Sequence, residues 1–87
     1  MHEPYRHPVD AIARIAAEAD PTRRDLLQLG YNLGRLSELT GLGREPFWDR
    51  WKEAVASWDR DALGRLVAGL REAAMAWPDP ADRGMGG

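Results

Sequence analysis

The sequence predicts an all-α fold, a small bundle of about four short amphipathic helices followed by a disordered C-terminal tail. Three observations predict it. Apolar residues recur at helical spacing in four stretches, recognisable caps and breakers separate those stretches, and no stretch alternates apolar and polar residues with the period of a strand. β-Branched residues are correspondingly few, with three Val, two Ile and two Thr in 87 residues. A chain of this length supports one core. The expected division is a flexible arm over 1–7, a helical domain over 8–77 and the tail over 78–87.

The first helix is expected from about Pro8 to Ala19. Val9, Ile12, Ala13, Ile15, Ala16 and Ala19 line one side, and Asp10, Arg14 and Glu18 form an i,i+4 charge ladder on the other. Asp20-Pro21 ends it, because proline pushes the residue before it out of the helical region. Two starts are open for the second helix. Asp20 can cap it with Pro21 in the first turn, or Thr22 and Asp25 can form a capping box two residues later.

The second helix runs to about Thr40. Leu26, Leu29, Leu33, Leu36 and Thr40 fall within an arc of roughly 80°. Beside that arc lies a shoulder of small residues, Gly30, Gly34 and Ser37. A glycine inside a helix costs about 1 kcal/mol relative to alanine, so two of them four apart point to close approach by another backbone. Either a second copy of the chain or the alanine-rich first helix can supply that backbone. Gly41-Leu42-Gly43 stops the helix.

The third helix, Glu45 to Ser57, carries the clearest pattern. Phe47, Trp48, Trp51, Ala54, Val55 and Trp58 lie within roughly 120°, opposite Asp49, Arg50, Lys52, Glu53 and Ser57. The fourth, Arg60 to Trp77, places Leu63, Leu66, Val67, Leu70, Ala73, Ala74 and Trp77 in a similar arc, with Asp61, Arg65 and Glu72 opposing them. No Gly or Pro separates the two, and the apolar stripe can be drawn straight through; Asp59 or Ser57 as N-cap favours a break. Residues 78–87 have nothing to bury. The expected core anchors are Leu33, Trp51, Trp58, Leu66 and Leu70, in a bundle centred on the second helix with the third and fourth as a hairpin against it.

Composition narrows the function classes. Twelve basic residues against fourteen acidic ones give a net charge of −2, which offers no bulk attraction to nucleic acid or an anionic membrane. Cysteine is absent, which excludes disulfides, thiolate zinc sites and a cysteine nucleophile. No stretch approaches the roughly 18 apolar residues of a membrane span, and the start of the chain lacks a signal-peptide core, so a cytoplasmic location is expected. Eleven of the twelve basic residues are Arg, which with the abundant Ala and Gly points to a GC-rich bacterial genome. His2 and His7 are five apart around Pro4, the wrong spacing for a helical zinc pair. Glu45, Asp49 and Glu53 read as a solvated acidic face. Phosphate-loop and nucleophile-elbow motifs are absent, so no metal, no cofactor and no catalytic residue is expected.

The stretch Leu36-Ser37-Glu38-Leu39-Thr40-Gly41-Leu42-Gly43-Arg44-Glu45-Pro46-Phe47 resembles the turn of helix-turn-helix DNA-binding proteins. Gly41, Leu42, Gly43 and Phe47 match its spacing over about sixteen residues, and the resemblance implies a DNA-binding regulator. The next apolar position falls on Arg50, with Trp51 one residue late, and the implied recognition helix carries Glu45, Asp49 and Glu53 toward phosphates. A plain helical-hairpin turn accounts for the same residues.

Subtracting arm and tail leaves a core that is small for a monomer, while the second helix has surface to spare. The expected function is therefore a non-enzymatic protein-interaction module, such as an adaptor, regulatory subunit or inhibitor. It is expected to form a homodimer and to take another protein as a further partner. Gly30, Gly34, Ser37 and Trp48 are the interface candidates, Trp48 because it sits at the edge of its arc and aromatic residues anchor interfaces. The alternatives are the DNA-binding regulator and a small helical enzyme whose site is assembled from residues far apart in sequence.

Overall fold

The computed structural model describes residues 1–81. In chain order its elements are α1 (Glu3–Ala16), α2 (Arg23–Thr40), a π-helical turn (Glu45–Asp49), α3 (Arg50–Ser57) and α4 (Arg60–Ala74). Among the described residues there is no strand, and the all-α bundle of four short helices is the observed fold.

Helix α1 starts five residues ahead of the expected Pro8, so residues 3–7 are helix where the sequence pointed to a flexible arm. Pro4 sits in the first turn, where its missing N–H has no acceptor to lose, and Pro8 lies one turn further in. What holds this extra turn is Tyr5. Its side chain is completely buried, its hydroxyl donates to the Pro78 carbonyl, and its ring meets Trp77 edge-on at 5.0 Å between centroids. Tyr5, Val9, Ile12 and Ala16 then form one continuous buried stripe. At the other end the helix stops at Ala16, and Ala19 is exposed. Of the expected tail, residues 82–87 lie outside the described residues. Residues 78–81 return to the N-terminus, where Asp79 approaches His2 at 3.8 Å.

The capping box starts α2. The Thr22 hydroxyl accepts from the Asp25 N–H at 3.0 Å, and the Asp25 carboxylate accepts from the Thr22 N–H at 2.9 Å. Gly41 ends it in the left-handed region (φ 70°), donating its N–H to the Ser37 carbonyl at 2.9 Å. Leu29, Leu33 and Leu36 are fully buried, while Leu26 at the arc's edge is 39% exposed. The two buried polar residues are satisfied within the helix: Asn32 donates to the Gln28 carbonyl at 2.8 Å and Thr40 to the Leu36 carbonyl at 2.7 Å.

The expected third helix divides. Its first turn is π-helical, with Asp49 N–H donating to the Arg44 carbonyl at 3.1 Å and Arg50 N–H to that of Glu45. Phe47, Trp51 and Ala54 are buried from this segment. The break from α4 is sharp. Trp58 takes a left-handed conformation (φ 48°, ψ 52°), and Asp59 caps α4 by accepting from the Ala62 N–H at 3.1 Å. Left-handed backbone costs a non-glycine residue about 1–2 kcal/mol. Contacts to the end of α1 offset it: the Trp58 indole donates to the Glu18 carbonyl at 2.8 Å, and Arg60 donates to the Ala17 carbonyl at 3.0 Å. These carbonyls lie just past a helix C-terminus, where acceptors lack helical partners. Asp59→Ala removes the cap and should lower stability by about 1 kcal/mol in a urea titration; an unchanged midpoint would show that the corner is held by Trp58 and Arg60 alone.

The bundle is centred on α1 rather than on α2. Helix α1 packs on both α2 and α4, whereas α2 and α4 have no comparable contact with each other. Helix α3 packs on α4, and the π-helical turn bridges α3 and α2. Because α2 is covered mainly from the α1 side, its far face is left open among the described residues.

Candidate functional site

Helix α2 commits its leucine arc to the core and turns a second, different face outward. At 100° per residue, Leu27, Tyr31, Gly34 and Glu38 fall within roughly 60° of one another, with Arg23 and Gly30 on one flank. Leu27 is 67% exposed and Tyr31 70%. Gly34 is exposed and Gly30 half-buried, and a Cβ added at either would meet nothing within 4 Å. Among the described residues the glycine shoulder is therefore uncovered, and helix α1 does not pack on it.

The four interface candidates are not brought together as one patch. Gly30 and Gly34 lie on the open face. Ser37 is half-buried, and its hydroxyl is used within the chain, donating to the Gly43 carbonyl at 2.7 Å and fixing the turn after α2, where Gly43 has φ 86°. Trp48 belongs to the π-helical turn, half-buried against the core. Of the anchors, Leu33, Trp51 and Leu70 are buried; Leu66 and Trp58 are half-buried, Trp58 because the chain turns away at that residue. The sequence reading missed Leu27 and Tyr31. The signal was available: two large apolar residues four apart, on the side of α2 away from its leucine arc.

Chemistry-bearing residues are dispersed. Glu45, Asp49 and Glu53 are exposed, and among the described residues no group of three or more His, Asp and Glu is placed to hold a metal ion. No helix among the described residues is long and apolar enough to cross a membrane. The segment that the helix-turn-helix resemblance assigns to DNA reading buries Phe47 and Trp51 in the chain's own core and presents the acidic residues outward. No protein-family model matches the chain, and neither a curated protein nor a solved structure matches it.

Proposed function

We propose that the chain is a non-enzymatic, cytoplasmic protein-interaction module, an adaptor, regulatory subunit or inhibitor, that self-associates as a two-fold dimer through the outer face of α2. The observation that carries this reading is that the face is complementary to itself when two copies run antiparallel. In a two-fold interface residue i meets residue j and j meets i. With i and j adding to 61, Leu27 faces Gly34, Tyr31 faces Gly30, and Arg23 faces Glu38. Each large apolar side chain meets a gap, and a positive charge meets a negative one. A parallel pairing sets like against like, Leu27 on Leu27 and Arg23 on Arg23, leaving the glycine notches unfilled. The cost of about 1 kcal/mol for each interior glycine is then offset by the close backbone approach that the notches permit.

The absence of cysteine in the sequence makes this register directly testable. Leu27→Cys and Gly34→Cys should form a disulfide when the two variants are mixed, and neither should cross-link alone. Identical positions lie seven residues apart along the paired axes, about 10 Å at 1.5 Å per residue, beyond the Cα separation of about 7 Å that a disulfide tolerates. Gly34→Leu should reduce the mass seen by light scattering while helicity is retained. A parental monomer at high micromolar concentration would refute the dimer.

A further inference from the structure

A groove of about 260 Å³ lies between the π-helical turn, α3 and α4, on elements other than the proposed dimer face. Phe47 and Trp51 lie beneath it in the core, its accessible apolar surface comes from Leu42, Leu66, Ala73 and the edge of Trp77, and Gly69 of α4 forms part of its wall. Its lining is predominantly apolar. The exceptions are Arg50 and Arg65, whose guanidinium groups have no carboxylate within 4 Å among the described residues. A Cβ on Gly69 would meet nothing within 4 Å. This glycine serves no turn or cap, and its missing side chain leaves the groove open at mid-helix.

We infer that the groove binds a small amphipathic carboxylate, its apolar body against Leu42, Leu66 and the edge of Trp77 and its carboxylate at Arg50 and Arg65. Charge selects the occupant. Arg50 and Arg65 are the charged residues of the lining, both exposed, and guanidinium groups match a planar carboxylate through paired N–H donors. Volume sets the size. An apolar cavity of about 150 Å³ accommodates benzene, so this groove suits a body of about two fused rings. A ligand with a few polar groups at the rim of an apolar pocket is the usual pattern of small-molecule sites.

The intact chain is titrated with 2-naphthoate and, separately, with its neutral counterpart 2-naphthamide, read by calorimetry and by amide chemical shifts. The acid should bind at least tenfold more tightly than the amide, with shifts centred on Gly69 and Trp77. The double variant Arg50→Gln/Arg65→Gln alters only exposed side chains and should bring the acid to the affinity of the amide. Gly69→Leu fills the groove and should abolish binding of both, with melting monitored to confirm that the fold persists. Equal affinities for acid and amide in the parent would overturn the inference, and so would unchanged binding in folded Gly69→Leu or no binding at millimolar ligand. Concentration-dependent shifts at these residues without ligand would overturn it too, by showing that a second copy fills the groove. Gly34→Leu leaves this binding unchanged, so failure of the groove and failure of the dimer are read separately.

Discussion

Trp51→Ala should unfold a large part of the population at room temperature. Trp51 is 1% exposed, the largest fully buried side chain, and it lies in α3, a helix of only eight residues. So short a helix is not stable by itself; packing maintains it. Removing a buried indole typically costs about 3–5 kcal/mol, from lost transfer energy and the cavity left behind. A domain of this size holds about 4–13 kcal/mol in total, at roughly 0.05–0.15 kcal/mol per residue, so the lower part of that range is exhausted. Far-UV circular dichroism should show reduced helicity at 25 °C, or a melting midpoint lowered by well over ten degrees. Trp58→Ala is the contrasting case. Trp58 is half-buried, and its loss removes one hydrogen bond and a partial contact, so its midpoint should fall much less. Equal behaviour of the two variants would contradict the placement of Trp58 at the corner.

That contrast shows what the sequence contains and what it leaves out. A period of 3.6 puts Trp51 and Trp58 on one face of one helix, and by that measure they are equivalent. What distinguishes them is a chain reversal at a non-glycine residue, stabilised by carbonyls just past the end of α1, some forty positions earlier; nothing local announces it except the capping potential of Asp59. The capping box at Thr22 and the Gly41 stop were legible because each is complete within a few residues. The glycine shoulder of α2 was legible too, but whether the first helix covers it was not. Small residues serve an intramolecular and an intermolecular neighbour equally well, and the position of α1, which leaves both glycines uncovered, is set by contacts far apart in the sequence. Leu27 and Tyr31 were overlooked for a related reason. Periodicity identifies the face that is buried; the face that remains has to be examined for what it exposes.

Tyr5→Ala should destabilise the domain nearly as much as Trp51→Ala, by about 3–5 kcal/mol on the scale of large aromatic truncations, although Tyr5 lies in a stretch that looks like a dispensable arm. Pro4 and Pro8 on either side obscure the helical pattern, and the partners of Tyr5 are at the opposite end of the chain. Its ring is fully buried against Trp77, which in turn meets Phe47 edge-on at 5.6 Å between centroids. The three aromatic rings therefore join the first turn of α1, the π-helical turn and the segment after α4. Removing the first of them leaves a cavity in the core and takes away the contacts of α1 with Trp77 and Pro78 together. Tyr5→Phe separates the two contributions. It keeps the ring and deletes only the hydroxyl that donates to Pro78; Pro78 is exposed and its carbonyl can turn to water, so the loss should be about 0.5–1.5 kcal/mol, the net worth of an ordinary hydrogen bond. Deleting residues 1–7 should reproduce the Tyr5→Ala loss in a urea titration. In limited proteolysis of the parent, cleavage should spare the bonds between Glu3 and Pro8, because a helical backbone held by a buried ring does not fit a protease cleft without local unfolding. If the truncated chain melts with the parent, the aromatic bridge is not part of the core and the folded unit begins near Pro8 after all.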